Sequence, residues 1–381
     1  MTVAVAHLRD VIKSTSCAFS AQATIENYDQ PLQGGTYSAK LIADGPGEFT
    51  VQADLVFSLP GKTLVTVDVS DPSTRASASI KFYVDTKTTE TPLPTTPWGL
   101  VTGPDGNLWV GVDSPSAGVD RVTPQGIVTH FSTGLAGHLA IGSDNNVWFT
   151  LSRGIGRLTT DGVFTQFPMN RAESQAWAIA AGPDDNLWLV LNDATASQAA
   201  SIGRLTPASG AIQEFSTPTA TSFPEGICAG PDGALWFTEY FAGNIGRVTT
   251  AGAFTEFRIL TPNSKPVDIA VGPDQNLWFT EWATGKIGRI TPAGKVTEFS
   301  AAPIGGNLNH LGVGPGGAIW FTTYGTSYVG SIDAQGTVTA YPLLSGAWAD
   351  SIAAGPDNAV WYTAQQANSQ TPGGWLARLM P

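Results

Sequence analysis

Cysteine is nearly absent from this sequence, and histidine is almost as rare. The 381 residues include two cysteines, Cys17 and Cys228, and four histidines. Two cysteines are too few for a disulfide framework or a four-ligand zinc site, so we expect both to be buried free thiols. Because histidines are so few, each one can be assigned individually.

Charged side chains are also sparse, and most of them are acidic. They make up 13% of the residues, and 19 basic against 31 acidic side chains give a net charge of −12. Lys and Arg form no run anywhere in the sequence, whereas a nucleic-acid or polyphosphate partner needs clustered cations. The composition therefore excludes a nucleic-acid partner and favours a cationic or metal-bound ligand.

Long apolar runs are missing as well. No stretch approaches the roughly 18 residues that a membrane-spanning helix needs. The apolar segment at the N-terminus is too short for a secretory signal, which leaves both a cytoplasmic and an exported location open. The G-x-S-x-G, H-E-x-x-H and P-loop motifs are absent too, which argues against common hydrolase, metalloprotease and nucleotide-binding classes.

From residue 98 onwards, one repeat dominates the sequence. The pattern G-P-D-x-x-L-W-F-T, I-G-R-I-T, G-x-V-T-E-F occurs seven times, and its tryptophans are spaced 39 to 48 residues apart. These tryptophans are Trp109, Trp148, Trp188, Trp236, Trp278, Trp320 and Trp361. Each unit reads as four short strands separated by Pro- and Gly-containing turns. The sequence therefore predicts an all-β, seven-bladed β-propeller with four-stranded antiparallel blades.

The two ends of the repeat array indicate how the ring closes. The last unit has only three strands before Pro381, while KTTETPLP (87–94) matches the fourth-strand pattern KVTEFSAAP (295–303). We therefore predict a propeller over residues 86–381, with residues near 87–92 forming the outer strand of the last blade. Such a strand would remove an unpaired sheet edge.

Residues 1–85 lack the tryptophan repeat and show alternating strands about ten residues apart. This spacing predicts a small β-sandwich. Residues 61–84 resemble the closing hairpin of bacterial immunoglobulin-like modules. We therefore expect an immunoglobulin-like domain ahead of the propeller.

The fullest copies of the repeat, residues 223–257 and 266–299, read G-x-D-x-x-x-W-F-T-E, I-G-R-I/V-T and E-F. This unit resembles the repeat of the streptogramin B lyases (virginiamycin B lyases), and the resemblance extends over residues 87–381. It implies a seven-bladed propeller that opens a cyclic depsipeptide antibiotic at its ester linkage by elimination, a route to antibiotic resistance. It also implies Mg²⁺ and a histidine base.

The family's key histidines lie in P-H-A-I-T and P-H-G-I-T segments on the innermost strands of its last two complete blades. Here the first segment reads PVDIAVG, with Val267 at the histidine position. The second reads LNHLGVG, with Asn309 at that position and His310 one residue later. A one-residue shift reverses the face of a strand, so His310 can replace the base only if the backbone bulges locally or the alignment slips.

Ligands of a propeller meet the ends of the innermost strands near the central channel, and residues there differ from unit to unit in this sequence. Variable residues on a regular scaffold are where a site is grafted. We expect His310 to be the catalytic base and His138, its counterpart in the second unit, to assist it. The expected substrate-binding residues are Trp98, Trp177, Asn309 and Asp350.

Carboxylate oxygens suit Mg²⁺ or Ca²⁺, and four acidic residues near the channel are candidates to hold one of these ions. The expected metal ligands are Glu225, Glu239, Asp268 and Glu281. Glu239 and Glu281 follow the W-F-T of adjacent units, where alternation along the strand places them at its channel end.

A non-catalytic reading stays open beside the enzymatic one. A propeller of this kind can bind a small molecule or a saccharide in its channel while the N-terminal module serves adhesion. Metal dependence distinguishes the two readings, because a lyase of this kind should need Mg²⁺. A closed propeller has no free edge that forces association, so we expect a monomer.

Overall fold

The computed structural model describes the strands within residues 1–87 and nearly all of residues 88–380. Within the second range, residues 114–115, 171–173, 194–199, 303, 344–346 and 366–372 lie outside the description. The chain divides into two compact units, Met1–Glu90 and Thr91–Leu379. Among the described residues, no helix has the length and apolarity needed to cross a membrane.

The N-terminal unit consists of antiparallel strands. They are β1 (Val3–Val5), β2 (Leu8–Val11), β3 (Ser20–Asn27), β4 (Thr36–Gly45), β5 (Glu48–Gln52), β6 (Asp54–Val56), β7 (Lys62–Ser70) and β8 (Ser77–Asp85). Six of them form one sheet in the order β2-β5-β4-β3-β7-β8, and β1 pairs with β6. The immunoglobulin-like sandwich stays a prediction, because the side chains that would pack it lie outside the described residues, as does Cys17.

Seven four-stranded antiparallel sheets follow, and the prediction of a seven-bladed propeller is confirmed. Blade 1 consists of β10 (Pro97–Thr102), β11 (Leu108–Val112), β12 (Gly118–Val122) and β13 (Val128–Phe131). Blade 2 consists of β14 (Ala136–Ile141), β15 (Val147–Leu151), β16 (Gly154–Leu158) and β17 (Phe164–Phe167). Blade 3 consists of β18 (Ser174–Ala181), β19 (Leu187–Asp193), β20 (Ser201–Leu205) and β21 (Ile212–Ser216).

The next two blades are β22 (Pro224–Ala229), β23 (Ala234–Glu239), β24 (Asn244–Thr249) and β25 (Phe254–Arg258); β26 (Pro266–Val271), β27 (Leu277–Glu281), β28 (Lys286–Ile290) and β29 (Val296–Ser300). The sixth is β30 (Asn307–Val313), β31 (Ile319–Tyr324), β32 (Tyr328–Ile332) and β33 (Val338–Pro342). A single 3₁₀ turn, Pro315–Gly317, lies between β30 and β31.

The last blade combines β34 (Trp348–Ala354), β35 (Val360–Gln365) and β36 (Gly374–Leu379) with β9 (Thr88–Leu93), which comes from the other end of the array. The first strand of each blade contacts the first strand of the next, and β10 contacts β34. The first strands therefore surround the axis, and the ring is closed.

The repeat tryptophan is the centre of each blade. All seven are buried, with exposed fractions of 2% or less. In six blades the indole N–H donates to the aspartate four residues earlier, at 2.9–3.0 Å, as from Trp236 to Asp232. The sixth blade has Gly316 at that position, and the Trp320 indole nitrogen has no partner.

The other repeat residues pack around this indole. In five blades the ring stacks on the phenylalanine of the fourth strand with centroids 5.2–5.8 Å apart, as Trp236 does on Phe257. The arginine of I-G-R lies over these rings, as Arg247 does over Trp236. A Cβ at Gly246 would lie 2.1 Å from Phe237, so the glycine is needed for this packing. Cys228 is free and half-buried rather than fully buried.

Each innermost strand interrupts its hydrogen-bonded ladder at one point. The register shifts in all seven blades between the first and second strands, for example between Leu308 and Leu311. Such a bulge leaves backbone groups unpaired, and buried backbone groups need partners. The Thr of the W-F-T motif provides them in blades 2, 4, 5, 6 and 7.

The hydroxyl of this threonine joins neighbouring blades. It accepts from a bulge N–H in its own blade at 2.9–3.1 Å. In blades 4 to 7 it also donates to a bulge carbonyl of the next blade at 2.6–3.0 Å. The last of these bonds runs from Thr363 to the Trp98 carbonyl and links blade 7 to blade 1. We call this contact the threonine clasp.

Two predicted metal ligands, Glu239 and Glu281, are fully buried within blades 4 and 5. Both close a second strand, and the third-strand residue opposite is Asn244 in blade 4 but Lys286 in blade 5. Burial raises the pKa of Glu239 to about 7, and the Glu256 carboxylate adds to the effect. Burial likewise raises the pKa of Glu281 to about 7, although Lys286 counteracts it.

We predict that Thr238→Val lowers the free energy of unfolding by about 1–3 kcal/mol, the cost of buried polar groups left unpaired. Valine keeps the shape but leaves the Gly226 N–H and the Val267 carbonyl without the clasp. Urea denaturation measures the change. Thr255→Val, at an exposed outer-strand position of the same blade, is the control. Equal stability of the two variants would contradict the clasp.

We also predict that Glu239→Gln changes how stability depends on pH. A raised pKa means that the folded state binds a proton which the unfolded state releases, so wild-type stability falls between pH 4.5 and about 7. The variant lacks this decline and gains stability relative to wild type as the pH rises. Thermal unfolding from pH 4 to 9 measures it, with the exposed Asp161→Asn as control. A pH-independent difference from wild type would refute the prediction.

Candidate functional site

The bulges of the innermost strands surround one cavity of about 490 Å³. It contains eight of the ten residues predicted from sequence, contributed by blades 1 to 7. These are Trp98, His138, Trp177, Glu225, Asp268, Asn309, His310 and Asp350. A smaller cavity of about 140 Å³ lies next to the first, and five residues line both, so they form the floor between the two cavities. These residues are Gly99, His138, Asp268, His310 and Ser351.

The bulge in β30 decides where His310 points. It lies between Leu308 and Leu311, and it brings Asn309 and His310 both to the cavity wall. The local bulge that His310 required is therefore present. The His310 Nδ1 lies 3.3 Å from Oδ2 of Asp268, on the neighbouring blade.

Asp268 is held by three N–H groups. Its Oδ2 accepts from the Leu311 backbone at 3.0 Å as well as facing His310, and its Oδ1 accepts from the Ile269 backbone at 2.9 Å. Burial would raise the pKa of this carboxyl, but the hydrogen bonds and the charge of His310 outweigh burial and lower it. Asp268 is thus an ionised partner that orients His310.

The two cavity histidines touch. The rings of His138 and His310 meet edge to face, with centroids 5.0 Å apart. Burial alone would lower the pKa of His310, but the hydrogen bond and charge of Asp268 raise it to about 9. Burial and the charge of His310 lower the pKa of His138 to about 4. At neutral pH the pair therefore consists of an imidazolium and a neutral imidazole.

Two further carboxyl groups face the same space. Burial raises the pKa of Glu225 to about 7, and the proximity of His310 limits the rise. Burial also raises the pKa of Asp350, although its Oδ1 accepts a hydrogen bond from the Asn309 amide at 2.9 Å. Glu225 borders the His138–His310 pair from blade 4, and Asp350 borders it from blade 7.

Glu239 and Glu281 do not line the cavity, so the four predicted metal ligands are not brought together. The cavity wall is built by innermost-strand bulges, whereas these two side chains close second strands and are buried within their blades. Among the described residues, no three His, Cys, Asp or Glu side chains are arranged to hold a metal ion. With the Asp268 oxygens occupied by N–H donors, the residues present do not fit the Mg²⁺ set expected from sequence.

Three further cavity residues with acidic or aromatic side chains were not predicted from the sequence as site residues: Asp113, Trp282 and Tyr324. Each lies four positions after a repeat tryptophan, at the end of the second strand or just beyond it. That shared offset was the available signal, and Trp282 is also a tryptophan outside the repeat position. The aromatic rim therefore extends further around the cavity than Trp98 and Trp177.

Comparison with known proteins points to one family. The model of the virginiamycin B lyase family matches residues 86–304. A virginiamycin B lyase from Nocardia farcinica (strain IFM 10152) is 31% identical over 132 residues, which cover 34% of this chain and 44% of the relative. The match thus spans less than half of that relative's length.

Solved structures agree over the propeller. A catalytically inactive histidine-to-alanine variant of virginiamycin B lyase from Staphylococcus aureus with quinupristin has a TM-score of 0.68 and 30% identity, covering 77% of this chain and 99% of that one. A streptogramin B lyase structure has a TM-score of 0.68 and 29% identity, covering 77% of this chain and 97% of that one. Because the family model spans more than half of the sequence, this chain belongs to the virginiamycin B lyase family.

Proposed function

We propose that this protein is a lyase that opens a cyclic depsipeptide at its ester bond. In the reaction, a base removes the proton from the carbon next to a carbonyl, and an enolate forms. The electron pair then forms a carbon–carbon double bond as the ester C–O bond breaks and a carboxylate leaves. No water is consumed, so the product has the mass of the substrate.

The observation that carries this proposal is the contact between the two imidazoles at the cavity floor. Elimination needs a proton acceptor and a positive group that stabilises the enolate oxygen. A neutral and a protonated imidazole side by side supply both. Family membership supports a lyase reaction, and a relative is catalytically inactive as a histidine-to-alanine variant.

We divide the roles differently from the sequence-based expectation. His310 faces Asp268 and has a pKa of about 9, so its imidazole is protonated at neutral pH and cannot accept a proton. His138 has a pKa of about 4 and makes no ring hydrogen bond to a described residue. We therefore assign proton removal to His138 and stabilisation of the enolate to His310, with Asp268 as the residue that positions His310.

A binding protein without catalysis is the second candidate. The exposed faces of Trp98 and Trp177, 43% and 42% accessible, suit stacking against a ring of a small molecule or a saccharide. The family's histidine positions are Val267 and Asn309 in this chain, which favours the same reading. Under this candidate, ligand affinity survives the loss of both cavity histidines.

The decisive experiment is incubation of the protein with a type B streptogramin, followed by absorbance and mass spectrometry. We expect ring opening at unchanged mass. His138→Ala and His310→Ala should each lower kcat/KM by about 100- to 10,000-fold, the usual effect of losing an acid–base group. His130→Gln is the matched control, because His130 also pairs with an aspartate, Asp120, but on an outer strand.

The assay is run with Mg²⁺ and with EDTA, and over pH. The rate should fall below about pH 4, where His138 gains a proton, and above about pH 9, where His310 loses one. A product that has gained one water would mean hydrolysis and would refute elimination. Ring opening that withstands the loss of both histidines would refute their roles, and no turnover would favour the binding protein.

A further inference from the structure

Resting on the proposed function, a second feature of the cavity narrows the class of substrate. Its wall combines four carboxyl residues with aromatic rings. The carboxyl residues are Asp113, Glu225, Asp268 and Asp350, and the aromatic ones are Trp98, Trp177, Trp282 and Tyr324. No Lys or Arg is among the described residues that line it. Among the described residues of this wall, the two histidines are the only basic side chains.

Most of these carboxyl groups already have partners. Asp268 is held by His310 and two backbone N–H groups. Asp350 accepts from Asn309 through one oxygen only. Glu225, which projects from the bulge of β22, accepts no hydrogen bond from any described residue. Among the described residues, Glu225 therefore offers the ligand a carboxyl that accepts no hydrogen bond, and Asp350 offers one with a single oxygen engaged.

The rings are positioned to face the same ligand from several sides. Trp177 packs edge-on against Phe223, with centroids 5.2 Å apart. On the other side, Trp282, Tyr324 and Trp348 form a ladder with centroid separations of 5.5 and 4.6 Å. Packing of this kind fixes ring orientation, and Trp and Tyr faces attract cations within about 6 Å.

We propose that the cavity selects a substrate bearing a positively charged nitrogen beside an apolar ring, with Glu225 as the counter-ion and the aromatic wall as the cation-binding surface. An anionic ligand would face four carboxyl residues and a chain of net charge −12. A neutral sugar could stack on the tryptophans but would bring no positive charge to Glu225. A cationic ring satisfies both surfaces.

The test uses three benzyl probes of similar size. They are benzyltrimethylammonium, which is cationic, benzyl alcohol, which is neutral, and phenylacetate, which is anionic. Isothermal titration calorimetry gives each Kd, and tryptophan fluorescence reports contact with the wall. We expect the cation to bind at least about tenfold more tightly than either of the other probes. A partly desolvated cation–π contact, together with a nearby carboxylate, provides a difference of this size.

Variants of the cavity residues test which side chains produce the preference for the cationic probe. Glu225→Gln and Asp350→Asn should each weaken binding of benzyltrimethylammonium several-fold, while leaving the affinity for benzyl alcohol unchanged. Trp177→Leu should weaken binding of the cation, and Trp177→Phe should restore part of it. Asp161→Asn removes an exposed carboxyl of blade 2 and should change nothing. Thermal unfolding of each variant separates loss of binding from loss of folding.

Three results of the binding measurements would overturn the inference. One is equal or tighter binding of phenylacetate or benzyl alcohol. Another is unchanged affinity for the cation in both folded carboxyl variants. The third is displacement of the cationic probe by stoichiometric MgCl₂, which would assign the acidic wall to a metal ion instead.

The binding assay needs no turnover, so its outcome is independent of the lyase proposal. Probe binding that depends on Glu225, without ring opening of any streptogramin, would support cation selection and refute the lyase. Equal turnover of an amine-bearing depsipeptide and its neutral analogue would support the lyase and refute cation selection.

Discussion

The innermost strands of this propeller present side chains to the cavity at bulges, where the backbone hydrogen bonds to the second strand are interrupted. The rest of the structure depends on how the unpaired backbone groups at these bulges find partners. Each bulge leaves backbone groups that a buried environment does not tolerate unpaired. The clasp threonine satisfies an N–H of its own blade and, in blades 4 to 7, a carbonyl of the next. One hydroxyl thus couples the closure of the ring to the positions of the functional side chains.

This coupling separates what the repeat must keep from what it can vary. In blades 1 to 5 the indole, its aspartate, the stacked phenylalanine and the arginine stabilise the blade from within, as around Trp236. The bulge side chains contribute little to that packing, so they can differ between blades without disturbing it. A site made of His138, Glu225, Asp268 and His310 can therefore stand on a regular scaffold.

Within the cavity, one ion pair organises the electrostatics. Asp268 is fixed by backbone N–H groups of its own and the next blade, and it keeps His310 protonated. The charge on His310 in turn helps to keep His138 neutral. Two identical side chains 5.0 Å apart between ring centroids thus have pKa values that their surroundings shift in opposite directions.

The sequence by itself determined the blade count, the four-stranded units and the family, because the period of the tryptophans and the turns around them are local signals. It also located the ring of variable residues that includes His138, His310 and Trp98. Only the tertiary structure decided which carboxyls reach the cavity: Glu225 does, while Glu239 and Glu281 turn into the blade. It likewise decided that His310 faces Asp268, because a bulge overrides the strict alternation of a strand and the partner comes from another blade, 42 residues away.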